Sequence, residues 1–557
     1  MEPRNDKSGT STLFGQAEDK TKQGAKRESC GGSTRSETLS MPGSYLHRNW
    51  EISSAPDGVM SGGAGKGNRN PAIYAAEKSD ALVVPKKPSN KGEPAEEVEG
   101  RNAAKGNADE PTACRTPSRE SAKTGLERVR ETAKRDGRLK FTALLHHITP
   151  SLLVESFYDL NKTAAVGVDG VAWQDYENIL YSRVHDLHRE IHTGAYCAQA
   201  SRRVYILKVD GKLRPLGIAA VEDKIVQQAV VKVLSVIYEE DFLGFSYGFR
   251  PGRGQHDALD AVWIGISRRH IDWVLDADIT AFFDTIDHDW MLKFLEHRIA
   301  DKRILRLIKT WLKAGVIEDG KRIASERGTP QGAVISPLLA NIYLHYVFDT
   351  WAHHWRTHHA SGHVIVVRYA DDSVIGFQYE DEAKRFLEAM KERFAKFGLE
   401  LHPQKTRLIE FGRYAEVRRK KRGLGKPETF DFLGFTHCCS KTRKGEFKIL
   451  RLTIKKRLRA TLADIREKLK RKRHEPIAQV GAWLTRVLRG YFNYHAVPDN
   501  LKRLSSFRYE VCRAWLQQLR RRSQKGKMTW ERFGRLVEKY IPIPRRVHPY
   551  PPQRFAL

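Results

Sequence analysis

Two neighbouring carboxylates, Asp371 and Asp372, stand between the apolar runs VIVV (364–367) and VIGF (374–377). Apolar runs of this length predict buried strands, and the polar residues between them predict a tight turn. Two like charges in a partly buried turn repel by several kcal/mol at intermediate dielectric unless a cation neutralises them. Magnesium suits such a turn, because it takes one or two protein carboxylates and fills its other positions with water and phosphate oxygens. The stretch alone leaves a plain solvent-exposed Asp-Asp turn equally open.

A second acidic strand favours the metal interpretation. The segment DADITAFFDTIDH (276–288) ends a hydrophobic strand with Asp276 and Asp278. If this strand lies beside the hairpin of Asp371 and Asp372 in one sheet, Asp278 completes a site for two metal ions. Paired ions of this kind activate a hydroxyl nucleophile and stabilise the leaving oxygen in phosphoryl transfer.

The charge of the chain predicts a polyanionic partner. Lys and Arg number 97 against 67 Asp and Glu, which gives a formal net charge of +30. Residues 441–557 hold 32 of the cations and 8 of the acids, so most of the excess lies in this last fifth of the chain. A solvated helical surface is the alternative, but nucleic acid is the partner that such a localised excess favours.

Cysteine usage and hydropathy predict the compartment. The chain has 6 cysteines, without a CxxC pair, and its N-terminal residues contain no secretory apolar segment. No apolar stretch approaches the roughly 18 residues that a membrane span requires. We therefore expect a reduced, cytoplasmic protein without a membrane partner.

Composition divides the chain into four parts. Residues 1–123 are rich in Gly, Ser, Lys, Glu and Pro without a sustained period, which predicts a disordered leader. Patterns of strands and helices alternate over 124–440 and predict a mixed α/β fold. Basic helical patterns fill 441–540, and residues 541–557 form a proline-rich tail that we expect to be extended.

Individual elements within these parts follow from the hydrophobic period. An alternating pattern predicts a strand at 202–209, and a run that is apolar except for its acids predicts a buried strand at 271–279, besides the hairpin of the paired aspartates. Helical spacing predicts helices at 222–242, 336–350 and 381–398.

Several motifs, in this order, resemble reverse transcriptases encoded by bacterial group II introns. The palm motifs are DITAFFDTIDH (278–288), GTPQGAVISPLLANIYL (328–344) and YADD (369–372). The resemblance covers roughly residues 125–557 and includes these further blocks: NKTAAVGVDGVAW (161–173), KVDGKLRPLGI (208–218), FSYGFRPGRGQHDAL (245–259), GLELHPQKTRLIEF (398–411) and FDFLGFT (430–436). One YxDD motif alone is weak, but ordered blocks with this spacing are specific.

The resemblance implies a fold, an activity and partners. It implies fingers and palm over 124–440 around an antiparallel sheet, followed by an all-α basic thumb and maturase domain over 441–540. The implied activity is RNA-directed DNA polymerase, coupled to a maturase function in which the protein binds the intron RNA to assist splicing. Mobility of the intron, meaning its insertion into DNA, would then proceed by target-primed reverse transcription on an RNA template with a DNA primer or target DNA. A dimer stays open.

The resemblance also implies roles for single residues. Two Mg²⁺ ions would be held by Asp278, Asp371 and Asp372 with the backbone carbonyl of Ile279. The incoming deoxynucleotide would be held by Lys208 and Arg214 at its triphosphate, by Phe283 beneath its sugar and by Gln331 in the GTPQG turn. Lys405 would protonate the leaving pyrophosphate, and FDFLGFT (430–436) would form the primer-grip hairpin, although an ordinary core strand would show the same pattern.

The sequence leaves two alternative interpretations of the function, and it gives one further expectation about priming. A retron or diversity-generating reverse transcriptase is disfavoured by the block at 161–173 and by the long basic C-terminal part. A non-catalytic RNA-binding splicing factor is disfavoured by Asp278, Asp371 and Asp372, because a pure binder has no reason to keep their repulsion. The chain shows no HNH endonuclease motif after residue 540, so we expect insertion to be primed from an existing DNA end.

Overall fold

The computed structural model describes residues 119–207, 213–523 and 528–554. The predicted leader therefore lies outside the described residues except for its last few positions. Lys208 also lies outside them. Within the described part of the chain, no helix is both long enough and apolar enough to cross a membrane.

The strands form three sheets. The first sheet has the order β6-β7-β3-β8, the second β2-β1-β4-β5 and the third β11-β10-β9. The bounds are β1 Ser201–Leu207, β2 Leu213–Ile218, β3 Trp273–Ala277, β4 Val316–Glu318, β5 Lys321–Ile323, β6 Val364–Tyr369, β7 Asp372–Phe377, β8 Arg407–Glu410, β9 Phe430–Phe432, β10 Phe435–Lys441 and β11 Phe447–Thr453. The first and third sheets are antiparallel throughout, whereas β1 pairs in parallel with β4 in the second.

Helices cover the sheets and make up most of the C-terminal part. The helices before β9 are Arg119–Arg135, Pro150–Tyr158, Trp173–Thr193, Val221–Asp241, Gln255–Arg268, Phe282–Thr285, His288–Glu296, Lys302–Lys313, Ser336–Leu344, Thr350–His358, Glu380–Lys396 and Ala415–Lys421. The later ones are Lys455–Arg471, Ile477–His495, Leu501–Arg520, Trp530–Tyr540 and Pro551–Arg554. A π-helical stretch, His345–Asp349, joins two of the earlier helices.

These elements confirm the mixed α/β fold and the local predictions, with small differences. Residues 208 and 209 of the strand predicted at 202–209 lie outside the described residues. The helix predicted at 336–350 is α-helical only to Leu344, and the π-helical stretch continues it. Residues 430–438 form a hairpin, as the resemblance of FDFLGFT to a primer-grip hairpin implies, and not one continuous strand. Leu433 and Gly434, which both have positive φ, form the turn between β9 and β10.

The helical C-terminal part begins at Lys455, later than the predicted boundary at 441. Residue 441 lies in the β10–β11 hairpin, in which Lys441 pairs with Phe447. β11 was missed because its alternating pattern, FKILRLT, adjoins a run of basic residues that is typical of the following helix.

The predicted proline-rich tail packs on the rest of the protein. Residues 541–550 have no helix or strand, in agreement with an extended chain, but residues 551–554 form a helical turn. There the guanidinium of Arg554 forms ion pairs with Asp257 and Asp260 of the helix Gln255–Arg268. The tail is thereby fastened to the first sheet's covering helix.

The first sheet separates two hydrophobic cores. Because successive strand residues point to opposite faces, Leu275 and Ile375 enter the large core with helix Val221–Asp241. Val274 and Val374 point the other way, into a second core shared with β9, β10 and β11. The position of a residue along β3 or β7 therefore decides on which face of the sheet its side chain lies.

Candidate active site

The tight turn between β6 and β7 holds the paired carboxylates. Tyr369 pairs with Asp372, so Ala370 and Asp371 make the connection. Ala370 has φ of 57°, a left-handed conformation that is strained for a residue with a Cβ. Gly248 lies against this turn so closely that a Cβ built on it would be 2.3 Å from the Ala370 nitrogen. The turn is thus held tightly from outside the hairpin.

A buried arginine anchors the base of the turn. Arg368 is 1% exposed, and its Nε donates to Oδ1 of Asp349, itself 0% exposed, over 2.7 Å. Its other nitrogens donate to Oδ1 of Asn341 at 3.0 Å, to the carbonyl of Ala370 at 3.0 Å and to Oγ of Ser246 at 2.7 Å. This network ties the turn to the helix Ser336–Leu344 and to the segment before Gly248.

The strand register brings the predicted carboxylates together. Ala277 pairs with Ser373, so Asp278 follows β3 directly beside Asp372 at the start of β7. Ile279 belongs to the large core, and therefore Asp278 points to the opposite face, as Asp276 and Asp372 do by their positions in the strands. The hypothesis that both acidic segments lie side by side in one sheet is confirmed.

The ionisation of these carboxyls reflects their crowding. Desolvation raises the pKa of Asp372 to about 7, with further contributions from the negative charges of Asp371, Asp278 and Asp276. Desolvation also raises the pKa of Asp371, and that of Asp276 to about 6. Asp372 nevertheless keeps an exposed surface, so it is surrounded by protein but open to solvent. A divalent cation would relieve this repulsion.

Lys405 lies against one of the carboxylates. Its Nζ is 2.7 Å from Oδ2 of Asp278, and the charge of Lys405 opposes the rise in the pKa of Asp371. The segment that carries Lys405 is held by backbone hydrogen bonds, in which His402 donates to the Asp278 carbonyl and Thr280 donates to the Glu400 carbonyl, both over 2.8 Å. Lys405 is thus placed at the site, and its ammonium compensates one carboxylate.

The direction of the Ile279 carbonyl follows from a backbone hydrogen bond of the next residue. The N–H of Thr280 points to the Glu400 carbonyl. Because the C=O and N–H of one trans peptide point in opposite directions, the Ile279 carbonyl points away from residues 400–402. It therefore faces the side of the sheet edge on which β7 begins.

The donor set fits magnesium in its chemistry. Three carboxylates and a backbone carbonyl are hard oxygen ligands. Among the described residues, however, no three His, Cys, Asp or Glu side chains converge on a common point. A magnesium site that takes one or two carboxylates and substrate phosphates does not require such a closed cage.

The residues predicted to hold a nucleotide meet around the GTPQG turn. Thr329 donates its N–H to the Phe283 carbonyl and Gly217 donates to the Gln331 carbonyl, both over 2.7 Å. A Cβ on Gly328 would lie 2.8 Å from the Phe283 carbonyl oxygen, which explains the glycine there. The turn therefore joins the Phe283 segment to β2.

β2 also carries Arg214. The exposed Arg214 pairs across the β1–β2 hairpin with Ile206, and its positive charge opposes the rise that desolvation causes in the pKa of Asp371. The amide of Gln331 lies 3.4 Å from Oδ2 of Asp284, the residue after Phe283. Arg214 is thus close enough to Asp371 for its charge to act on that carboxyl, whereas Phe283 and Gln331 meet at the GTPQG turn and Lys208 lies outside the described residues.

Two residues at the site were missed. Arg457 opens the helix Lys455–Arg471, and its charge opposes the rise in the pKa of Asp372. A Cβ on Gly434, in the predicted primer grip, would lie 3.5 Å from the Arg457 guanidinium. Tyr494 holds the same turn by donating its hydroxyl to the Leu433 carbonyl at 2.8 Å. Arg457 lies in a long run of basic residues after FDFLGFT, and nothing in the sequence distinguishes it from the other cations of that run.

Comparisons with known proteins agree with this site. Residues 206–437 match the family model described as "Reverse transcriptase (RNA-dependent DNA polymerase)". Protein YkfC of Escherichia coli is 40% identical over 228 residues, which cover 40% of this chain and 60% of that protein. The group II intron-encoded protein LtrA of Lactococcus lactis is 34% identical over 224 residues, which cover 40% of this chain and 37% of LtrA.

A plant relative extends the comparison to an intron maturase. Nuclear intron maturase 4, mitochondrial, of Arabidopsis thaliana is 30% identical over 146 residues, which cover 26% of this chain and 18% of that protein. The chain thus spans less than two thirds of the length of each of these relatives. Residues 206–437 are a reverse transcriptase domain, and the chain is a homologue of group II intron-encoded proteins and intron maturases.

Proposed function

We propose that this protein is an RNA-directed DNA polymerase encoded by a group II intron, and that it also assists the splicing of that intron. The observation that carries the proposal is the register that brings Asp278 beside Asp372 on one face of the sheet, next to Asp371. In this proposal the fingers and palm run from residue 124 to the end of β11, the thumb and maturase domain is the helical part from Lys455 to residue 540, and the tail packs on the rest of the protein.

The metal-binding part of the proposal assigns two Mg²⁺ ions to Asp278, Asp371, Asp372 and the Ile279 carbonyl. When bound, the ions make the primer 3′-hydroxyl a better nucleophile and neutralise charge on the triphosphate. The Arg368 network fixes the turn that carries Asp371, so the carboxylates are positioned before substrate arrives. Their raised pKa values supply the reason for binding a cation.

The deoxynucleotide part of the proposal uses the residues around the GTPQG turn. Arg214, together with Lys208, grips the triphosphate, because a guanidinium fork matches phosphate oxygens. Phe283, which is half-buried in the short helix Phe282–Thr285, closes the space beneath the sugar. Gln331, whose amide contacts the carboxylate of Asp284, lines the same proposed nucleotide site.

Phe283→Ala should admit ribonucleotides. Removing the ring opens space for a 2′-hydroxyl, and a pocket of this kind discriminates by steric fit by about 100-fold. We expect the ratio of kcat/KM for UTP over dTTP to rise by about that factor, with little change for dTTP. Single-nucleotide incorporation with a 5′-labelled primer measures it. An unchanged ratio in a variant that still uses dTTP would show that Phe283 does not select the sugar.

Lys405→Met should slow the chemical step. A general acid contributes about 10²–10⁴-fold, so we expect kcat for nucleotide addition to fall by about 100-fold or more while KM for the deoxynucleotide changes little. Lys405→Arg is the matched variant, because arginine keeps the charge next to Asp278 but holds its proton too firmly to donate it. If Lys405→Arg restores the wild-type kcat, the lysine acts through its charge and the proton-donor role is wrong.

The maturase part of the proposal concerns the basic helices after Lys455. They form their own hydrophobic core, which leaves their cationic faces outside. Intron RNA, the RNA template and DNA primer, and target DNA are the proposed partners, and we place the resulting ribonucleoprotein in the cytoplasm. Splicing of the transcript that surrounds the gene, followed at near-physiological magnesium with and without the protein, tests it. No acceleration by protein that extends primers would remove the maturase function.

A further inference from the structure

A basic segment lies at the opposite end of the first sheet from the carboxylates. Residues 412–429 connect β8 to β9 and contain the helix Ala415–Lys421. The segment contacts Asp272, which precedes β3, whereas Asp278 follows it. At about 3.3 Å per strand residue, these two aspartates are about 20 Å apart. The segment is therefore remote from the site of nucleotide addition.

Arginines fasten this segment to the sheet. Arg418 pairs with Asp272 at 2.8 Å and with the buried Glu410 at 3.0 Å, and Arg422 also pairs with Glu410. Lys441 at the end of β10 pairs with Glu416 at 2.9 Å. The helix thus has a fixed orientation that decides which of its cations face solvent.

Other cations of the same surface are directed outward. Lys420, Lys421, Lys426 and, in the β10–β11 turn, Lys444 are exposed, and none of them takes part in an ion pair among the described residues. We call Arg413, Tyr414, Lys420, Lys421, Lys426 and Lys444 the distal patch. The nearby carboxylate of Glu416 interacts with Lys420 and Lys426 at longer range, but four lysines against one such carboxylate leave the patch positively charged.

Large apolar side chains are exposed among these cations. Tyr414 is 47% exposed, Val417 is 50% exposed and Leu424 is 47% exposed, all within one short segment. A basic helix that only faces solvent gives no physical reason for three large apolar side chains to be exposed together. An aromatic ring among lysines is the arrangement on which unpaired bases stack while the lysines contact the phosphates. An acidic protein would be matched by the charges but would leave the role of the exposed ring unexplained.

We propose that the distal patch is an RNA-binding surface separate from the polymerase cleft, by which we mean the proposed substrate site at Asp278, Asp371 and Asp372. Unpaired bases of a structured RNA stack on Tyr414 while Lys420, Lys421 and Lys444 contact its backbone. The proposal rests on the proposed function for the identity of this RNA as the intron. It gives the protein a way to hold its intron while a template occupies the cleft.

The test measures RNA binding with the cleft already filled. Full-length protein is first saturated with a short RNA–DNA duplex, and a labelled single-stranded RNA of 30 nucleotides is then titrated at several salt concentrations. For Lys420→Ala/Lys421→Ala/Lys444→Ala we expect the slope of log K against log salt to become about 2 units less negative, since each lost phosphate contact on single strands contributes about 0.7. For Tyr414→Ala we expect about tenfold weaker binding.

A matched control removes the same charge elsewhere. Lys302, Lys309 and Lys313 are exposed on the helix Lys302–Lys313, and their triple alanine variant should keep the wild-type slope. An unchanged slope and affinity in the patch variant would overturn the proposal. The same titration with polyglutamate in place of the RNA tests an acidic protein as the partner, and a patch variant that loses polyglutamate binding but keeps RNA binding would also overturn the proposal. Extension of the short duplex reports separately on the proposed function, and the patch variant should extend it at the wild-type rate.

Discussion

Replacing Asp371 and Asp372 together by asparagine is expected to lower the rate of nucleotide addition by about a thousand-fold or more. Asparagine has nearly the same shape, but it removes the two negative charges that would hold the ions. A loss of about 4 kcal/mol of transition-state stabilisation corresponds to that factor. Pre-steady-state extension of a labelled DNA primer on an RNA template measures it. RNA binding and splicing assistance should stay close to wild type, because they rest on the basic surfaces.

The structure also predicts the stability of the same Asp371→Asn/Asp372→Asn variant. Desolvation and mutual repulsion raise the pKa values of Asp371 and Asp372, so removing both charges should not lower the free energy of unfolding at neutral pH. Asp289→Asn/Asp381→Asn, which changes two exposed carboxyls outside the site, should leave extension unchanged. A folded Asp371/Asp372 variant that loses both polymerisation and splicing assistance would contradict the separation of the two functions.

Arg368→Met is expected to lower the free energy of unfolding by about 3–5 kcal/mol. The substitution leaves Asp349, which is 0% exposed, as an uncompensated buried charge, and removing one partner of such a pair typically has this effect. It also removes the hydrogen bonds to Asn341 and to the Ala370 carbonyl. Urea unfolding followed by circular dichroism measures the change as a shift of the midpoint.

Two companion variants decide whether the buried pair is the cause. Arg368→Met/Asp349→Leu removes the unpaired charge and should recover a large part of the lost stability. Arg385→Met removes an arginine whose side chain is 60% exposed in its ion pair with Asp381, and it should change stability by no more than about 0.5 kcal/mol. Equal effects of Arg368→Met and Arg385→Met would contradict the anchoring role of Arg368.

The residues that bear the chemistry could be predicted, because each lies in a local pattern. Asp278, Asp371 and Asp372 interrupt apolar runs, and the period of two along a strand then decides the face on which Asp278 lies. The pairing of β3 with β7 joins segments about a hundred residues apart, so their register is set by packing that no local pattern contains.

The features of the site that could not be predicted from the sequence depend on contacts between segments that are far apart in the chain. Lys405 was predicted at the site, but its ion pair with Asp278 depends on how the chain folds back along β3. Asn341 and Arg368 are polar residues within apolar runs, and that signal could have indicated a buried network without naming its partners. Arg457 belongs to a long basic region in which one cation looks like the next.

The most direct test of the proposed polymerase uses wild-type protein. The purified chain is incubated with an RNA template, an annealed 5′-labelled DNA primer, deoxynucleotides and either magnesium or EDTA. We predict extension of the primer to the end of the template with magnesium and none with EDTA. Folded protein that binds the intron RNA tightly but adds no nucleotide in magnesium would contradict the polymerase and leave a splicing factor.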